Sequence, residues 1–264
     1  MTGGEVKLRP LAGLRVVVTR AREQAGELVA ALESAGAEVL VFPMIRIVAP
    51  ADPGPLRRAA RSVEAYDWVV FTSVNGVERF FEELEAAGLG AGAIRGRIAC
   101  IGPATAAAVE RHGARADLVP QRYVAEALLD ELCAGRDLRG ARILLPRAAE
   151  ARAVLPEGLA ARGAIVEEVE AYRSVPDGAG AGELRRRLEA GEVDVLTFTA
   201  SSTVRSFLES VGKEVGRAKV AVIGPVAAET ARQGGLRVDI EASEHTIPGL
   251  VRALALHFGR EREA

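Results

Sequence analysis

The chain has 264 residues, 49% of them hydrophobic and only 4% aromatic, enough to bury one large core or two modest ones packed from small aliphatic side chains. A net charge of −2 argues against a nucleic-acid surface, and no stretch approaches the roughly 20 apolar residues that a membrane helix needs. Cys100 and Cys133 form neither a disulfide framework nor a zinc site, so they read as inert core thiols and no metal is expected.

The opening residues MTGGEVKLRPLAG lack an apolar signal core, and a cytoplasmic protein is expected. Arginine outnumbers lysine, which leaves anionic ligands open, because guanidinium grips carboxylates in two-pronged geometry.

In chain order, the β-rich run LRVVV from Leu14 leads into a helical stretch marked by Leu28, Leu32 and Ala35. Residues 39–50, VLVFPMIRIVAP, read as one long extended segment ending in proline. DWVVF from Asp67 and IACI from Ile98 are short strands, each followed by a helix, and YVAEALLDEL from Tyr123 is helix-like. RILLP from Arg142, the extended segment 166–176, DVLTF from Asp194, VAVI from Val220 and IPGLVRALAL from Ile247 then repeat the series. Apolar residues on both faces of the runs indicate parallel strands covered by helices on each side.

The series is a duplication. Gly13 and Gly140 open matching blocks, as do Asp67 and Asp194, and both pairs are 127 residues apart. Arg97 and Lys219 open a third pair. The fold class that follows is α/β, with two similar doubly wound parallel-sheet lobes. If the two extended segments pair antiparallel, they form a two-stranded β linker. Lobe 1 then comprises 1–44 and 176–264, lobe 2 comprises 50–168, and the linkers are 45–49 and 169–175. Periodicity leaves open two sequential domains split near 135–140.

Ligands of such sheets meet the loops at the carboxyl ends of the strands. Those loops are small and polar. Thr72, Ser73 and Asn75, and Thr199, Ser201 and Ser202, sit where a strand yields to a helix and can cap that helix or bond a ligand. Gly102-Pro103 and Gly224-Pro225 admit close backbone approach, with proline at the first helical position. Together with the helix dipoles, these loops suit an anion. No dinucleotide or phosphate-loop fingerprint is present.

Arg20 and Arg147 are register partners placed to pair with ligand carboxylates. Tyr172, in the second extended segment, offers a phenol able to donate a proton or a hydrogen bond. Tyr66 and Tyr123 read as structural, and His112 and His257 as surface residues. His245 stands before the last helix, where it can touch a ligand.

LRVVVTR, DWVVFTSVNGV, the paired IGPATA and IGPVAA loops, AYRSVP and DVLTFTASSTVRSF, in this order, resemble the uroporphyrinogen-III synthase family over about Leu14 to Phe258. The resemblance implies two α/β lobes joined by a two-stranded ladder with the site between them. It implies a cofactor-free, monomeric enzyme whose partner is a small molecule, hydroxymethylbilane, a linear tetrapyrrole polycarboxylate. Loss of the substrate's terminal hydroxyl gives an azafulvene. Attack by the substituted carbon of the last ring, through a spiro intermediate, closes the macrocycle with that ring inverted.

Tyr172 matches the family's tyrosine that assists hydroxyl departure. Thr105 matches a threonine of the first Gly-Pro loop, and Ala227 stands where some relatives carry a second threonine. Rival readings are a two-lobe small-anion-binding protein without catalysis and a tetrapyrrole methyltransferase. The second lacks a glycine-rich methyl-donor loop.

Overall fold

The computed structural model describes residues 9–263, and side chains through 259. The chain divides into two compact units. The first takes the described residues up to 46 and from 175 onward, and the second takes 47–174.

In the first unit, β1 (Arg15–Val18), α1 (Gly26–Ser34) and β2 (Glu38–Val41) come from the first pass of the chain. The return supplies α7 (Ala181–Glu189), β8 (Val195–Phe198), α8 (Ser201–Ser210), β9 (Lys219–Val222), α9 (Pro225–Gln233), β10 (Ile240–Glu241) and α10 (Ile247–Glu263). The intervening elements are β3 (Ile45–Val48), α2 (Gly54–Arg61), β4 (Trp68–Phe71), α3 (Val74–Ala86), β5 (Arg97–Cys100), α4 (Pro103–Arg111), α5 (Ala125–Cys133), β6 (Arg142–Ala148), α6 (Val154–Ala160) and β7 (Ile165–Pro176).

The sheet of the first unit runs β10-β9-β8-β1-β2 and that of the second β3-β7-β6-β4-β5. β1 pairs in parallel with β2 and β8, and β4 and β7 pair in parallel with β6. Alternation along the strands feeds two cores. Val17, Leu196 and Val222 face α7, α8 and α9, whereas Val16, Val18 and Val195 face α1 and α10. In the second unit Val69, Phe71 and Leu144 join α2, α3 and α4, while Val70, Ile143 and Leu145 join α5 and α6. A strand covered on both faces must be largely apolar, as β4 (WVVF) is throughout and β8 (VLTF) is but for one buried threonine.

The duplication extends to individual bonds. Asp194 accepts from the Arg15 amide at 2.8 Å, and Asp67 from the Arg142 amide at 2.8 Å. Asp239 accepts from the Val220 amide at 2.9 Å, and Asp117 from the Ile98 amide at 2.8 Å. In each pair of ties the partners keep the repeat spacing.

One expectation needs correction. The segment 39–50 is not one extended run. β2 ends at Val41, the stretch through Pro43 belongs to no strand, and β3 begins at Ile45 as the edge strand of the other sheet. β3 and β7 are hydrogen-bonded neighbours, as expected of the two extended segments, with β3 at the edge of the five-stranded sheet.

β7 also carries a β-bulge. Arg147 pairs with Glu170 but Ala148 pairs with Tyr172, so β7 carries one extra residue there. Before the bulge, Val169 and Ala171 face the core beneath α3, while Glu168 on the opposite face meets Arg147. Strict alternation would send Tyr172 to the Glu168 face. The extra residue turns it to the α3 side, where it joins that core.

Candidate active site

Strand order reverses between β6 and β4 in the second unit and between β1 and β8 in the first, and the carboxyl ends of such neighbours are the favoured ligand site of an open α/β sheet. In the second unit the loop after β4 carries Thr72 and Ser73. Ser73 is the N-cap of α3, with φ −162° and its Oγ accepting from the Gly76 amide at 3.0 Å. Gly76 is required because α3 rests directly on β6. A Cβ there would stand 2.7 Å from the Pro146 carbonyl oxygen.

That contact and the bulge bring two side chains together. Tyr172 Oη donates to Ser73 Oγ at 3.0 Å. The phenol is only 7% exposed. Burial raises its pKa, and hydrogen bonds to Ser73 and Asn75 pull the other way. Thr72 and Asn75, close to Ser73 in sequence, are half-buried.

After β5, Gly102 is the N-cap of α4 and supplies no side-chain cap. Thr105 lies in the first turn, 4% exposed, and no described residue hydrogen-bonds its hydroxyl. It sits one turn from main-chain amides that no side chain occupies.

Arg147 takes part in an internal ion pair. Its guanidinium is buried, donating to Glu168 at 3.0 Å and to the Arg152 carbonyl at 2.5 Å. Burial lowers its pKa, opposed by Glu168. It anchors β6 to β7 and to the turn before α6, and its charge also acts on the Tyr172 phenol.

The first unit repeats the scaffold with other groups. Arg20, after β1, is half-buried with neither hydrogen bond nor ion pair to a described residue. Burial lowers its pKa, with Glu27 acting in opposition. Thr199 follows β8. The N-cap of α8 is Ala200, which makes no side-chain cap, so Ser201 and Ser202 stand half-buried in an uncapped first turn. Thr203 Oγ1 donates back to the Ala200 carbonyl at 2.7 Å. Gly224 is the N-cap of α9, with buried Ala227 in its first turn and the His245 ring against Gly224.

Among residues read as structural, Tyr66 donates to Glu167 at 2.6 Å and its pKa is pushed up to about 12, chiefly by burial. Cys100 is fully buried and pushed up to about 12 for the same reason, which keeps the thiol inert. His112, read as a surface residue, instead stacks on Phe81 at 4.5 Å and bonds Glu78 at 2.8 Å. Sequence reading passed over one residue that the site brings in, Tyr123, which packs against Gly102. Its signal was available, because Tyr123 and His245 are separated by the same 122 residues as Gly102 and Gly224.

Residues 26–252 match the family model described as uroporphyrinogen-III synthase HemD. A relative from Methanothermobacter thermautotrophicus is 37% identical over 93% of this chain and 99% of its own length. The uroporphyrinogen-III synthase of Synechococcus elongatus is 31% identical over 93% of this chain and 96% of its own. The fold also matches a crystal structure of a mutant uroporphyrinogen III synthase from Thermus thermophilus, with a TM-score of 0.66 at 24% identity over 95% of this chain and 99% of that one. With the matched residues spanning most of both sheets and both sets of loops, the chain belongs to the uroporphyrinogen-III synthase family.

Proposed function

We propose that this chain converts hydroxymethylbilane to uroporphyrinogen III, with loss of water and inversion of the last ring, as a cofactor-independent lyase. Its partner is then a small-molecule polycarboxylate, without nucleic acid or membrane, and it works as a cytoplasmic monomer. Family membership supports the reaction. The observation that carries the site assignment is the buried Tyr172 phenol held on the N-cap of α3 at the strand-order reversal.

The chemistry asks for positioning and one proton. When the C–O bond to the terminal hydroxyl breaks, the pyrroles stabilise the cation themselves and a donated proton lets the oxygen leave as water. Tyr172 supplies that proton or a hydrogen bond in its place. Burial keeps the phenol protonated at neutral pH. Ser73 Oγ is fixed by the Gly76 amide, so the phenol is held in one orientation. Once the phenol proton has passed to the leaving oxygen, the Ser73 hydroxyl can turn to donate to the phenolate, and with Asn75 it makes the transfer less uphill.

The remaining groups hold carboxylates. In the second unit these are Thr72, the amides after Gly102 and the Thr105 hydroxyl. In the first unit they are Arg20, Thr199, Ser201, Ser202, the amides after Gly224 beside Ala227, and His245. Holding the chain so that the last ring meets the azafulvene by its substituted carbon is catalysis by orientation. The test is to mix the protein with hydroxymethylbilane and separate the isomers produced. Type III product in excess of the spontaneous mixture is expected. A spontaneous isomer ratio would leave only an anion-binding protein.

A further inference from the structure

Gly102 and Gly224 have extended backbones, φ −171° and 174°, which any residue adopts, so conformation does not explain either glycine. Sterics does. A Cβ on Gly102 would stand 3.3 Å from Cγ of Tyr123, and one on Gly224 would stand 2.8 Å from Cδ2 of His245. Each ring thus lies against bare backbone just before the first turn of α4 or α9. The repeat spacing that relates the two glycines and the two rings also relates the contacts that lead the chain to them. Leu118 bridges Ala99 in parallel, and Ile240 pairs with Ala221 in parallel. The arrangement was therefore present before the duplication and has been kept in both copies.

Packing on a glycine needs no polar edge, yet both rings have one. Tyr123 and His245 are half-exposed, and no described residue bonds the phenol oxygen or the imidazole nitrogens. The copies have exchanged phenol for imidazole while retaining a flat ring with a hydrogen-bonding rim. In the second unit that ring borders the turn carrying Thr105, whose hydroxyl likewise has no partner among the described residues. Two hydroxyls without an internal partner beside one uncapped helix start leave donors open to an external acceptor.

We infer that Tyr123 and His245 are substrate-positioning residues, each closing one side of a carboxyl-end loop with its ring and giving its polar edge to a carboxylate of the tetrapyrrole. This rests on the function proposed above and extends it by naming Tyr123 as the counterpart of His245. Neither ring takes part in bond making; their work is to set where the substrate's acidic side chains lie.

The test is steady-state kinetics of the full chain carrying Tyr123→Phe or His245→Phe, with hydroxymethylbilane as substrate, isomers separated and Tm recorded. Both variants keep the ring and lose the donor. KM is expected to rise about tenfold, the scale of one hydrogen bond to a charged group, with kcat within about twofold and Tm unchanged. Gly224→Ala, whose Cβ would stand 2.8 Å from the His245 ring and must displace it, is expected to raise KM in the same way. Wild-type KM in both phenylalanine variants overturns the assignment, as does a fall in kcat that follows lost thermal stability. If the unsubstituted protein leaves the spontaneous isomer ratio unchanged, the tetrapyrrole reading fails. If it yields the type III isomer while the variants match its KM, only the role of the rings fails.

Discussion

Asp194 and Asp67 bind the same backbone amide in their two sheets, and so do Asp239 and Asp117, so the amino ends of the strands have stayed alike since the duplication. The carboxyl ends have diverged. Ser73 caps α3 and holds Tyr172, whereas its register partner Ala200 caps nothing, and Ile45 stands 127 residues before Tyr172. Pro146 in β6 corresponds to Thr19, whose hydroxyl donates to the Thr197 carbonyl at 2.7 Å, and Thr197 donates to the Val17 carbonyl at 2.7 Å. The first unit thus satisfies buried hydroxyls within its own sheet. The second has dispensed with them and placed a phenol at the reversal of strand order. One proton donor is enough for one departing hydroxyl, so only one copy has to carry it.

The largest effect is expected at that donor. Tyr172→Phe removes the phenol and nothing else from a core position, so turnover should fall about tenfold or more, in the usual range for removing a general acid, with Tm nearly unchanged. Unchanged turnover would show that both units act only as carboxylate holders. Gly76→Ala tests the contact beneath. Its Cβ would press on the Pro146 carbonyl at 2.7 Å, so α3 must shift from β6, costing about 1–3 kcal/mol and separating Ser73 from Tyr172. The register partner is Thr203, already a full side chain, so Thr203→Ala should leave turnover within about twofold while losing the bond to the Ala200 carbonyl, worth about 1 kcal/mol. Equal losses of turnover in the two variants would mean that the units do not differ as described.

Much of this contrast was legible in the sequence, and the rest was hidden for identifiable reasons. Six polar loops, the glycine-proline turns and Tyr172 followed from strand runs and the repeat spacing. The bulge did not, because an extra residue in β7 shows only once pairing with β6 is known. The fate of Arg147 was hidden for a related reason. Arg20 and Arg147 occupy one register position, and spacing cannot tell which is folded in against a glutamate. The break at Pro43 was likewise lost inside a continuous apolar run. Tyr123 was the avoidable omission, since its spacing from His245 repeats that of the glycines.

The arginines give the next test. Arg20→Gln should raise KM about five- to tenfold, with little change in Tm, as befits the loss of an ionic hydrogen bond to substrate. Arg147→Gln should leave KM near wild type and lower Tm, because it strands Glu168 and the Arg152 carbonyl. Glu168 is about half exposed, so the loss should be nearer 1–2 kcal/mol than the 3–5 typical of a fully buried pair. Reversed phenotypes would exchange their assignments.

Alkaline pH should act on the second unit first. Both of its buried phenols, Tyr66 and Tyr172, have raised pKa values, so folding favours the protonated form. Their contribution is complete below about pH 10, where an unfolded tyrosine titrates, and for Tyr66 it is lost as pH rises toward about 12. The single tryptophan, Trp68, lies buried in this unit and reports its opening by fluorescence. Emission should move to the red over that interval, and Tyr66→Phe should weaken the shift. A shift confined to lower pH would point to other groups.

The smallest effect is the most direct exchange between the units. Ser73→Ala removes an N-cap that accepts from the Gly76 amide, and Ala200→Ser offers one to α8 at the matching position. Caps of this kind are worth about 1 kcal/mol, which for units of this size is about 2–4 °C in Tm. Ser73→Ala should lower Tm by that amount and slow turnover modestly, since Tyr172 keeps its place in the core but loses its fixed acceptor. Ala200→Ser should raise Tm and reduce substrate affinity, because the new hydroxyl takes an amide that we assign to a carboxylate. Higher stability with unchanged KM would mean that the first turn of α8 was never part of the binding surface, and that the first unit holds its share of substrate through Arg20 and the loop after β9 alone.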